Sequence, residues 1–178
     1  MQAHFSGRPG GFTMIEILVA MFVLAIGVVG ASAAQLAAQR TRQHAALTSE
    51  AALLATSLAA RMRANATVAS LPIGANPYVP LDYKAYGASP PAGGAQCFGA
   101  GACDPLALAA FDLRETRLAL HRGFPAGRIA VCHDGAPWDA EHSRYRWVCS
   151  GDETAPVAIK IGWHGTQDGP GYVLLVAR

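Results

Sequence analysis

The chain has 178 residues, a net charge of +2, and 15% charged against 52% hydrophobic residues. That length holds one domain plus a membrane anchor, and so small a charge points away from nucleic acid or an acidic surface as a partner. The sequence contains no phosphate-binding glycine loop, and Ser143 and Ser150 lack the glycine-flanked elbow of a hydrolase nucleophile.

Residues 1–11 read as a short polar leader ending in Gly10-Gly11. An apolar run follows, with Glu16 near its start and 23 uncharged residues between Glu16 and Arg40. As a helix, that stretch crosses a hydrocarbon core of ~30 Å. A carboxylate in such a segment costs on the order of 2.5–3.5 kcal/mol at the bilayer centre and less near an end, so its presence needs a reason. A cleaved secretory signal has a shorter apolar core followed by its small-residue cleavage site; here the core is longer, and both the glycine pair and the glutamate precede it. A plain anchor accounts for neither feature. Arg8 lies before the span and Arg40 and Arg42 after it, so the distribution of positive charge does not set its orientation.

The block Gly11-Phe12-Thr13-Met14-Ile15-Glu16-Ile17-Leu18-Val19-Ala20-Met21 closely resembles the N-terminus of type IV prepilins. The resemblance implies that a prepilin peptidase cuts between Gly11 and Phe12 on the cytoplasmic side. Phe12 is then N-methylated, and the helix serves first as an anchor and then as filament core. It also implies an inner-membrane, single-pass protein with its C-terminal bulk in the periplasm and later in the pilus. The partners would be other major and minor pilins and the inner-membrane assembly machinery. Physical chemistry gives Glu16 an assembly role within that scheme. After cleavage the α-amine of Phe12 is a cation one helical turn from Glu16, and a carboxylate in the first turn faces the positive end of the helix dipole. In a bundle, Glu16 would neutralise the Phe12 amine of a neighbouring subunit and fix its register.

Residues 12 to about 64 are expected to form one helix, uninterrupted by proline and roughly 75–80 Å long. Its parts would be a transmembrane or filament-core segment, 12–34, and an amphipathic continuation, 35–64. Leu36, Leu47, Ala51, Leu54, Leu58 and Met62 supply the apolar stripe of the second half. Gly27 and Gly30 lower helix propensity inside the anchor, as sites of close packing or as the ordinary glycines of a membrane helix.

Residues 65–178 are expected to form the globular domain. The prolines from Pro72 to Pro91 indicate an irregular loop with short extended pieces over 65–103. Asp104-Pro105 is a helix start, with Leu106, Ala110, Leu113, Arg117 and Leu120 near one face and Gly123 and Pro125 closing it. Arg128–Cys132 and Arg144–Cys149 read as the two strands of a hairpin. Val157, Ile159, Ile161 and Trp163 alternate with Ala158, Lys160 and Gly162 as a half-buried strand, and residues 172–177 form a closing strand. A long helix on a small antiparallel sheet is an α+β fold.

Cys97, Cys103, Cys132 and Cys149 all lie in this domain, and an even count in an exported domain favours disulfides. Of three possible pairings, Cys97 with Cys103 and Cys132 with Cys149 follow from the short loop and from the expected hairpin. The spacing does not match a structural zinc module. No catalytic residue, cofactor or metal site is expected. His133 with Asp134, and Asp139, Glu141 and His142, fall in or beside a polar loop, where such residues serve solubility.

Residues 58–65 (Leu-Ala-Ala-Arg-Met-Arg-Ala-Asn) and Asp112-Leu113-Arg114, with the following Gly-Phe-Pro-Ala-Gly, resemble the PilV-type minor pilins. A tryptophan expected in the second helix of that family is absent here, where Thr116-Arg117 stands. Arg61 and Arg63 also suit the cationic last turn of a helix. The resemblance implies a minor pilin acting in pilus initiation, assembly or modification. The alternatives are a pseudopilin of a type II secretion system and a membrane-anchored enzyme or DNA-uptake receptor. DNA binding would need a basic stripe with aromatics, and alternation separates Arg144 and Arg146 from Tyr145 and Trp147.

Overall fold

The computed structural model describes residues 11–94, 96–98, 102–166 and 168–176. Residues 1–10 of the expected leader, Gly99 and Gly101 of the cysteine loop, and Ala177 of the closing strand lie outside them. The elements are α1 (Met14–Ala64), α2 (Ala66–Ala69), β1 (Leu81–Lys84), α3 (Pro105–Gly123), β2 (Arg128–His133), β3 (Trp138–Asp139), β4 (Arg144–Tyr145), β5 (Val157–Gly162) and β6 (Tyr172–Val176). The chain divides into two compact units within α1, between His44 and Ala45.

Between Glu16 and Gln35, α1 is apolar on every side. Met14, Ile15, Leu18, Phe22, Leu24 and Val29 are all exposed. A helix of this kind is stable where something apolar surrounds it, and α1 is long and apolar enough to cross a membrane by length and composition. The few hydroxyls are satisfied within the helix. Ser32 Oγ donates to the Val28 carbonyl at 2.8 Å and Thr41 Oγ1 to the Ala37 carbonyl at 3.1 Å, so neither adds an unsatisfied group.

The second unit is built on a four-stranded antiparallel sheet of order β1-β2-β5-β6. Residues 45–64 of α1 and helix α3 cover one face, and this is the α+β arrangement expected from the sequence. Ala51, Ala55, Leu58, Ala59 and Met62 of α1 share a core with Leu113 and Leu120 of α3 and with Ile129, Val131, Ile159 and Ile161 of the sheet. Ala55 and Ala59 are fully buried in that stripe. Leu36, expected in the same stripe, is exposed in the first unit.

Asp104 caps α3 as its residue type predicts: its side chain accepts from the Ala107 N–H at 2.8 Å, and Pro105 stands at the first helical position. The buried face of α3 differs from the expected one. It comprises Ala109, Phe111, Asp112, Leu113, Thr116 and Leu120, while Leu106 and Ala110 are exposed and Arg117 is half-buried. Periodicity alone misplaced the face because polar Asp112 and Thr116 are carried inward, each with a hydrogen-bond partner.

The expected hairpin of Arg128–Cys132 with Arg144–Cys149 does not form. β2 lies between β1 and β5, with Val131 opposite both Leu81 and Ile159. Arg144–Tyr145 instead pairs with Trp138–Asp139 in a separate two-stranded ribbon. Cys132 and Cys149 are nevertheless joined, as are Cys97 and Cys103. The first of these bridges ties the lobe of residues 134–149 to the sheet face opposite the helices.

That lobe also corrects the half-buried reading of β5. Ala158, Lys160 and Gly162 are buried along with Ile159 and Ile161. The lobe covers them. Lys160 Nζ donates to Asp134 Oδ2 at 2.5 Å and to the carbonyls of Arg146 and Val148 at 2.7 and 3.0 Å. The Trp147 ring lies on Gly162, where an added Cβ would stand 2.7 Å from Cζ2. Its π system also carries the Arg128 guanidinium 4.3 Å from the centroid.

Candidate functional site

The N-terminal residues singled out by the sequence lie at the head of α1. Gly11, Phe12 and Thr13 precede the helix, and the Thr13 carbonyl accepts from the N–H groups of Glu16 and Ile17 at 3.1 and 3.3 Å. That bond pattern places Glu16 in the first turn. Phe12, Glu16, Ile17, Ala20, Met21 and Leu24 line one shallow face. Phe12 and Glu16 therefore share a face, one turn apart, with aliphatic side chains continuing it. Phe12 is 80% exposed and Glu16 is exposed. A carboxylate beside so much exposed apolar surface has no intrachain cation among the described contacts. A Cβ at Gly27 or Gly30 would meet nothing within 4 Å, so no contact within this chain requires glycine there.

Residues 8–32 match the prokaryotic N-terminal methylation motif. The matched segment joins Arg8–Gly11, Phe12, Glu16 and most of the apolar span in one register. It supports a type IV pilin-like protein with a general pilin or pseudopilin role, and the proteins that share this motif are structural. A single N-terminal apolar helix of this kind can anchor such a protein in a membrane. No curated protein and no solved structure matches the chain.

The segments that carry the finer resemblance meet in the second unit. Arg61 Nη1 lies 2.9 Å from Asp112 Oδ1, and Tyr78 Oη donates to Asp112 Oδ2 at 2.9 Å. Asn65 Nδ2 donates to the Pro105 carbonyl at 2.7 Å and reaches Tyr78 Oη at 3.4 Å. Arg61 is thus more than a cationic helix end, whereas Arg63 is exposed. Burial pushes the Tyr78 hydroxyl up to about 12, Asn65 opposing and Asp112 adding to the shift. The sequence signal for this network was Asp112 and Thr116, polar residues four apart on one face of α3.

Asp139, Glu141 and His142 have potential ligand atoms within 4.8 Å of one another. Their contacts are those of a self-satisfied turn. Asp139 Oδ1 accepts from the N–H groups of Glu141 and His142, and Oδ2 pairs with His142 Nδ1 at 2.9 Å. The His142 hydrogen bond holds the Asp139 carboxyl below the usual carboxylate range. His133 is separate, with Nδ1 2.8 Å from the Ala155 carbonyl, and Asp134 is engaged by Lys160. Arg144 and Arg146 do not form a stripe with Tyr145 and Trp147. Tyr145 meets Trp138 edge-on with centroids 5.0 Å apart, while Trp147 packs on the sheet.

Proposed function

We propose that the chain is a minor pilin that takes part in the initiation, assembly or modification of a type IV pilus. The observation that carries the reading is the shared face of Phe12 and Glu16 at the head of a 51-residue helix whose first half is apolar all round. Cleavage after Gly11 by a prepilin peptidase creates the α-amine of Phe12, which is then N-methylated. In a bundle of such helices, Glu16 meets that amine on a neighbouring major or minor pilin. Burying an unpaired carboxylate in an apolar bundle is costly, so the pair selects one axial register. Gly27 and Gly30 then have a role between subunits, where small residues permit close approach.

The same N-terminus serves a pseudopilin in a type II secretion filament. The PilV-type reading draws its support from Leu58–Asn65 and Asp112–Arg114, which meet through the Arg61–Asp112 pair. The domain plan follows: leader 1–11, core helix 12–34, amphipathic continuation 35–64 and periplasmic domain 65–178. Deletion in the native host separates the two systems. Loss of surface pili with secretion intact supports the minor pilin; intact pili with failed secretion replaces it by the pseudopilin. Affinity purification of the intact membrane complex should recover other pilin-like proteins and the inner-membrane assembly machinery.

A further inference from the structure

We propose that the Cys132–Cys149 disulfide is a redox-sensitive latch: it holds the 134–149 lobe closed over Lys160, and its reduction uncovers that lysine while the sheet beneath stays paired. Lys160 sits on the inner strand β5 with no exposed surface. Its ammonium is kept there by Asp134 and by the carbonyls of Arg146 and Val148, with that of Trp147 at 3.5 Å. Three of these four acceptors belong to the residues immediately before Cys149. Three of its four acceptors are therefore in place only while that segment lies on the sheet.

The lobe has little of its own to hold it there. None of its residues belongs to the shared hydrophobic core. Its ribbon is two residues long on each side, and among its residues only Asp134 and Pro137 are buried. Its attachments are the Trp147 ring between Gly162 and Arg128, the Lys160 contacts, the Asp134 N–H on the Pro156 carbonyl at 3.0 Å, the close approach of Gly169 to the Tyr145 carbonyl, the exposed Arg144–Asp168 pair at 3.7 Å and the bridge to Cys132. The bridge closes a span of 17 residues, so opening it releases chain entropy. Lifting the lobe also returns a buried ammonium to water, which relieves its desolvation. Both effects favour opening once the bridge is reduced. The opposite face of the sheet is unaffected, because Ile129, Val131, Ile159 and Ile161 pack on the helices.

The chemistry balances with an external dithiol. Its thiolate attacks one sulfur of the Cys132–Cys149 bond, and the mixed disulfide resolves to free Cys132 and Cys149 thiols and the oxidised, cyclic reagent. Closure requires a disulfide donor, which an oxidising compartment supplies. The latch lies within the second unit and is independent of the pilin reading.

The sequence provides its own reporter, because Lys84 and Lys160 are the only lysines and Lys84 is exposed. The full chain in detergent, carrying Cys97→Ser and Cys103→Ser, would be treated with an amine-acetylating reagent and mapped by peptide mass. With the bridge intact, Lys160 should label more than about tenfold more slowly than Lys84. After dithiol treatment it should approach the Lys84 rate, with the amides of Val157–Gly162 still slow to exchange hydrogen for deuterium. The Cys132→Ser/Cys149→Ser variant should label at Lys160 without dithiol. Protection of Lys160 after both thiols are shown to be free overturns the proposal. So does simultaneous loss of Lys160 and strand-amide protection, or a serine variant that does not fold, since the latch requires the sheet to stand without the bridge.

Discussion

Arg61 in the last turn of α1 and Asp112 in the middle of α3 are paired at 2.9 Å, with 40% of the arginine side chain exposed and only 5% of the aspartate. The asymmetry decides which partner is dispensable. Arg61→Met leaves a buried carboxylate with Tyr78 as its remaining donor, and should cost about 2–3 kcal/mol. Asp112→Asn keeps an acceptor for Tyr78 and leaves an arginine that water can solvate, and should cost about 1 kcal/mol. All three tryptophans, Trp138, Trp147 and Trp163, lie in the second unit, so denaturant titration followed by their fluorescence reads this unit. Equal costs for the two variants would contradict the asymmetric account.

Tyr78 makes stability fall at alkaline pH. Its hydroxyl is raised from 10.0 to about 12 by burial, so the folded state holds a proton that the unfolded state has lost. The contribution is complete below pH 10 and is lost as pH rises from there through about 12. Tyr78→Phe should flatten that part of the stability profile. A mutant slope as steep as the wild type's between those values would assign it to another group.

Processing is read directly by intact mass. The native protein should begin at Phe12 and carry one added methyl group, and a bulky residue at Gly11 should leave full-length precursor in the membrane. A mature N-terminus at Met1 or after Ala34 would defeat the pilin reading.

Glu16→Ala should separate anchoring from assembly. Removing a carboxylate from an apolar helix favours membrane insertion, so the variant should remain membrane-bound at least as well as the wild type. Its share in sheared surface filaments should fall, because the Phe12 amine has lost its partner. Normal incorporation would remove Glu16 from the assembly mechanism.

Local chemistry made much of this molecule readable in advance. A proline-free run headed by Glu16 becomes α1, and Asp104-Pro105 starts α3 because a short acceptor side chain and a preset φ act within one turn. The apolar alternation at Val157, Ile159 and Ile161 marks a strand face packed on helices. The register of Gly11, Phe12 and Glu16 is likewise a property of neighbours in sequence. Arg61 and Asp112, by contrast, take physical meaning only in space, where they meet across 51 residues of sequence.

Tertiary structure decided which strands pair and what covers the far face of the sheet. Arg128–His133 and Arg144–Tyr145 each carry strand-like alternation, but alternation does not name a partner, and β2 takes β1 and β5 as neighbours. Lys160 stands in a pattern that reads as solvent-facing, since lysine seldom tolerates full burial. It is buried because Asp134 and the carbonyls of residues 146–148, all distant in sequence, converge on its ammonium. Periodicity encodes which side of an element is apolar; compensation of a buried charge depends on groups brought together only when the chain folds.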